Sequence, residues 1–170
     1  MPAFKFIAEV FTRRKFKGLS QKQNEALIDA LAAAKAIDGE LKDVERKELM
    51  EIVQKLDWNA GESMESYIDR SIEQAVKIEP RSDELGEFFD SIGDRLEEDW
   101  LREEAYYLAA RIVLADEQIV ENERRLLQAM VEGLGVDSDR QQLIMRKLYD
   151  EVDVDVTTAR TAPPREEPRD

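Results

Sequence analysis

Neither cysteine nor histidine occurs anywhere in the 170 residues. Their absence excludes disulfides, Cys/His zinc sites, thiol nucleophiles and every histidine-based triad or general base. Any chemistry here would rest on carboxylates, lysine, tyrosine or a hydroxyl. Proline is scarce too, with five residues, and aromatics make up 7%. Positive charge is the next deficit: 25 Lys+Arg stand against 39 Asp+Glu, a formal net charge of −14. Phosphate neutralisation needs a basic surface, so nucleic acid is not an expected partner. Cations, basic protein surfaces or plain solubility suit such a balance better. Long apolar runs are also missing. Lys5, Glu9, Arg13 and Arg14 interrupt the N-terminal segment, so neither a signal peptide nor a membrane-spanning helix is expected, and the cytoplasm is the expected location.

Strong helix formers dominate, and apolar residues recur at spacings of three and four rather than two. Phe4, Ile7, Val10 and Phe11 make one stripe of a basic amphipathic segment, residues 1–18. Ser20 reads as the N-cap of a helix ending near Ile37, with Gly39 just past its end. Further helices are expected over 43–56, 63–78, 82–96, 100–115 and 121–134. A last one starts at Asp137 or Ser138 and carries Leu143, Ile144 and Leu148. Gly86 and Gly93 suggest irregularity in the 82–96 segment. The reading is an all-α fold, a compact bundle of six or seven helices over 19–152, with a Pro- and charge-rich disordered tail over 153–170.

Self-similarity is the most informative feature. The stretch A-A-A-K-A-I-D-G-E-L-K-D-V-E-R-K-E-L aligns without gaps on A-R-I-V-L-A-D-E-Q-I-V-E-N-E-R-R-L-L, giving repeats near 26–58 and 104–136. Asp38 pairs with Asp116 and Glu45 with Glu123, each 78 positions apart (116 − 38, 123 − 45). The same offset pairs Asp43 with Glu121, Arg46 with Arg124, Leu41 with Ile119, Leu49 with Leu127 and Val53 with Val131. Apolar matches at helical spacing are common. Three acids and an arginine returning in register are not.

At these residues, A-I-D-G-E-L-K-D-V-E-R and A-D-E-Q-I-V-E-N-E-R, the sequence resembles the TerB-like family of tellurite-resistance and stress-response domains, from about Ser20 to Val136. Glu117 stands where the family usually has glycine, so the second joint is expected to bend differently. The resemblance implies an all-helical, non-enzymatic cytoplasmic domain that binds or senses metal. It also implies association with membrane-linked stress proteins, at the inner face of the membrane.

Asp38 and Asp116 sit at helix C-terminal ends, where the macrodipole disfavours a carboxylate by roughly 0.3–1 kcal/mol. A hard divalent cation, calcium, magnesium or manganese, would offset that cost. Its expected ligands are Asp38, Glu45, Asp116 and Glu123, with Asp43 and Glu121 as outer members. The alternative reads the same residues as ordinary joint and helix-start chemistry. Lys42 and Val120 are poor caps, which leaves Glu45 and Glu123 without a clean capping box. An EF-hand is excluded, because its loop counted from Asp38 would need Gly and Glu where Asp43 and Leu49 stand. Two further readings stay open: a ligand-free interaction module, and a magnesium-dependent phosphohydrolase using Glu48, Glu51, Glu62 and Glu65. The basic N-terminal segment has three expected destinations: an anionic membrane, its own bundle, or the acidic surface of a second copy in a homo-oligomer. A protein partner is expected in either binding reading.

Overall fold

The computed structural model describes residues 3–37, 39, 41–115 and 120–160, with side-chain surroundings from Lys5 to Glu151 within those ranges. Among the described residues there are eight α-helices and no strand. They are α1 (Ala3–Phe11), α2 (Gln21–Ala36), α3 (Asp43–Val53), α4 (Met64–Lys77), α5 (Glu84–Leu96), α6 (Asp99–Leu114), α7 (Glu121–Leu134) and α8 (Ser138–Arg160). A 3-10 turn, Arg14–Phe16, follows α1. The all-α bundle is thus present, with one helix more than six or seven because α1 is part of it. Helix α8 also runs past Asp153, where a disordered tail was expected to begin. Neither glycine nor proline interrupts the chain between Val136 and Pro163, so no backbone breaker stops it there. The rest of that expected tail, residues 161–170, lies outside the described residues.

Local chemistry sets the helix ends. Ser20 and Gln23 form a reciprocal capping box: the Gln23 N–H donates to Ser20 Oγ at 3.1 Å, and the Ser20 N–H donates to Gln23 Oε1 at 3.0 Å. Ser63 caps α4 by accepting from the Ser66 N–H at 3.1 Å. Helix α7 ends in a Schellman motif. Gly135 adopts φ 68°, its N–H donates to the Glu132 carbonyl, and the Val136 N–H donates back to the Val131 carbonyl. Helix α5 is regular despite Gly86 and Gly93.

Helices α2 and α6 form the middle of the bundle and pack on each other. Their alanines, 26, 30, 32, 33 and 34 in α2 and 105, 109 and 110 in α6, are buried and let neighbouring helices approach from several sides. Apart from the small contact of α5 with α6, the remaining contacts pair off under a shift of four helices. Helix α1 packs on α3 as α5 packs on α7, α3 on α2 as α7 on α6, α4 on α2 as α8 on α6, and α5 on α2 as α1 on α6. Helices α2 and α6 end, and α3 and α7 open, 78 positions apart (114 − 36, 121 − 43). The same separation links buried Ile7 to Leu85 and Phe11 to Phe89, outside the gap-free repeat.

Docking onto the bundle is therefore the fate of the N-terminal segment. Ile7, Val10 and Phe11 are fully buried, and Phe16 of the 3-10 turn is buried between Phe11 and Trp100, with ring centres 5.1 and 5.9 Å away. Arg13, Arg14, Lys15 and Lys17 remain exposed around it.

Candidate functional site

The two helix–joint–helix units carry the residues singled out in the sequence. In the first, α2 ends at Ala36, Gly39 turns the chain at φ 90° with its N–H on the Ala36 carbonyl, and α3 opens after Lys42. Asp38 lies outside the described residues, as does Asp116 of the second joint. Glu45 occupies the third position of α3. Its carboxylate accepts the Lys42 backbone N–H at 3.4 Å and lies 3.8 Å from Lys35 Nζ. A lysine side chain has no acceptor to return the bond, so only the backward half of a capping box forms. Asp43 is exposed in the same first turn, where negative charge suits the helix dipole.

In the second unit Glu123 holds the matching third position of α7, but it is buried. Glu121 is exposed and lies 3.8 Å from Arg124 and 3.4 Å from Arg125. The four described candidates thus sit at helix starts. Among the described residues no group of three or more acids is placed to hold a metal ion. The phosphohydrolase acids are dispersed as well. Glu48 and Glu51 border a groove between α1 and α3 together with Lys5 and Lys55. Glu62 is gripped by both terminal nitrogens of Arg70, at 2.7 and 3.0 Å, and Glu65 is exposed.

Two buried polar clusters escaped the sequence reading. In the first, the Asp29 carboxylate of α2 accepts from Tyr67 Oη at 3.0 Å, Ser71 Oγ at 2.6 Å and Arg95 Nη2 at 2.7 Å. These donors come from α4 and α5. Burial first, then the Asp29 charge, raises the Tyr67 hydroxyl above the usual tyrosine range. Burial works against the Arg95 charge, but Asp29 outweighs it and the guanidinium is held above its ordinary value. In the second cluster, Glu151 of α8 accepts from Tyr107 Oη at 2.6 Å and from Arg111 of α6, while the Arg111 guanidinium lies 3.9 Å from the Phe6 ring centre on α1. Burial first, then Glu151, raises the Tyr107 hydroxyl likewise. The helices involved, α2, α4 and α5 against α6, α8 and α1, correspond under the four-helix shift. The signal was in the sequence: Asp29 interrupts L-I-D-A-L and Arg111 interrupts A-A-R-I-V-L, single charges within apolar runs.

A second groove, between α6, α8 and the 3-10 turn, holds about 250 Å3 and is bordered by Lys15, Trp100, Arg140, Leu143 and Lys147. Among the described residues no helix is long and apolar enough to cross a membrane. No family model, curated protein or solved structure matches this chain.

Proposed function

We propose that the chain is a non-enzymatic, TerB-like accessory domain of a stress-response system such as tellurite resistance. It acts by binding a protein partner in the cytoplasm or at the inner face of the membrane. The observation that carries this reading is the recurrence of the helix–joint–helix unit, with helix ends and starts at one constant separation around the buried α2–α6 pair. A divalent cation at the joints, calcium, magnesium or manganese, completes the reading. It rests on Asp38 and Asp116, which follow the last residues of α2 and α6 in the sequence, with Glu45 and Glu123 in the first turns of the next helices.

Thermal unfolding of chelated protein, with and without each ion at millimolar concentration, tests the cation. At a hundredfold excess over Kd a bound ion adds about 2.7 kcal/mol. The gain should be specific to one ion and vanish in the Asp38→Asn/Asp116→Asn variant. An unchanged response in that variant would remove these residues from the site. A second reading, a ligand-free interaction module, is favoured by the engagement of Glu45 with its own helix start and of Glu121 with Arg124 and Arg125. It predicts no ion-specific shift in either protein.

A further inference from the structure

Acids outnumber bases across the chain, yet the first seventeen residues carry Lys5, Arg13, Arg14, Lys15 and Lys17 against the single acid Glu9. All five basic side chains are exposed, because the apolar residues between them face the bundle. Lys15 lies over the Trp100 ring at 5.7 Å and 3.0 Å from Glu104, and Lys17 Nζ donates to the Lys55 carbonyl at 3.2 Å. Arg13 and Arg14 have no carboxylate within ion-pair distance among the described residues. Beside them the α6–α8 groove adds Lys147, 4.8 Å from the Tyr107 ring centre, and the half-exposed Leu143. Glu103 and Glu104 also line the groove and are paired with Arg140 and Lys15, so the positive charge of this surface on an acidic molecule comes from Arg13, Arg14, Lys17 and Lys147.

Helix α5 holds the place in the second half that α1 holds in the first, and its surface carries the opposite charge. Leu85, Phe89, Ile92 and Leu96 are buried, and Arg95 turns inward to Asp29. What remains outside is Glu84, Glu87, Asp90 and Asp94, one helical stripe at spacings of three and four, all exposed. No Lys or Arg among the described residues pairs with Glu87, Asp90 or Asp94. The helix dipole accounts for acids in the first turn, but it opposes Asp94 near the C-terminal end. Neighbouring like charges also destabilise the helix itself.

We propose that the basic turn Arg13–Lys17 and its groove dock the acidic face of α5 on a second copy of this chain. This inference is independent of the cation reading. The two surfaces differ, so the contact is head-to-tail and leaves one of each free for a further copy. Net charge opposes association. At about 0.1 M salt, however, charges beyond roughly 10 Å are screened, while ion pairs at contact are not. Exposed ion pairs contribute little each, so the complex is weak and salt-sensitive.

Sedimentation equilibrium of the full chain at about 0.1 M and about 1 M salt tests it. Mass should rise with concentration at the lower salt and stay monomeric at the higher. Arg13→Glu/Arg14→Glu and Glu87→Lys/Asp90→Lys/Asp94→Lys, at exposed positions, should each lower the association constant at least tenfold with unfolding temperatures close to the parent's. An equimolar mixture of the two variants should restore association, because each then meets its complement. A chain monomeric at both salts overturns the proposal. So does association that survives the α5 variant, since the occupant of the basic surface is then something other than α5. Monomeric protein that binds vesicles of anionic lipid through Arg13 and Arg14 overturns it in favour of a membrane.

Discussion

A single carboxylate inside the bundle explains more of its architecture than any residue of the joints. Asp29 lies on α2 with little exposure, and its four contacts tie α2 to α4 and α5. A buried acid is costly unless its lone pairs are filled and its charge is matched. Tyr67 and Ser71 fill the lone pairs, while Arg95 supplies the charge from a partly exposed position. Replacing Arg95 by methionine keeps the packing length but strands the carboxylate, and should lower stability by about 3 kcal/mol. Asp29→Leu/Arg95→Met should cost less than the two single changes summed, because no charge is then left alone. Denaturant unfolding of the four proteins gives the coupling directly. Additive losses would mean that the pair contributes only through packing.

At the scale of the element, α5 and α7 pack backbone against backbone at Gly93 and Gly133. A Cβ added at Gly133 would lie 2.6 Å from Phe89 Cβ and 2.7 Å from the Phe89 carbonyl carbon. One added at Gly93 would lie 2.6 Å from the Gly133 oxygen. Backbone cannot yield as a flexible side chain does, so the helices would have to separate. Gly133→Ala is expected to cost about 2 kcal/mol or more and lower the unfolding temperature by several degrees. Gly86 lies in the same helix α5 with nothing within 4 Å of its would-be Cβ. There alanine should stabilise by about 0.5 kcal/mol, through helix propensity alone. Thermal unfolding of the two variants separates the effects by sign.

These elements also mark where the sequence could be read. Helix positions followed from the spacing of apolar residues and from Ser20 and Gly39, because caps and periodicity act within a few residues. The use of Gly93 and Gly133 was hidden, because it arises only when two helices distant in sequence meet. A glycine in a helical pattern reads as weakness until its neighbour across the interface is known. Of the six candidate acids, the placement of Glu45 and Glu121 at helix starts was legible from the chain. The burial of Glu123 against the partial exposure of Glu45 was not, since identical local sequence positions end in different surroundings.

For the molecule as a whole, the basic N-terminal segment takes one of its expected destinations, the bundle itself. Composition set residues 1–18 apart as a basic segment, because charge is visible along the chain and docking is not. Four large side chains of that segment, Ile7, Val10, Phe11 and Phe16, are essentially inaccessible, and they fill space against α3 and α6. At about 1.5–3 kcal/mol per fully buried side chain, their loss removes roughly 6–12 kcal/mol. A domain of this size has about 5–15 kcal/mol in total. A chain beginning at Leu19 should therefore lose cooperative unfolding, with apolar surface on α3 and α6 opened to water. Exposed dye-binding surface and the disappearance of a sigmoidal melt, with helical circular dichroism partly retained, are the expected readings. The four-helix shift sharpens this expectation. Helix α1 packs on α3 as α5 packs on α7, and α1 reaches α6 as α5 reaches α2, so losing either helix uncovers two others. A truncated chain that still unfolds in one sharp transition near the parent's temperature would return the N-terminal segment to the status of an appendage.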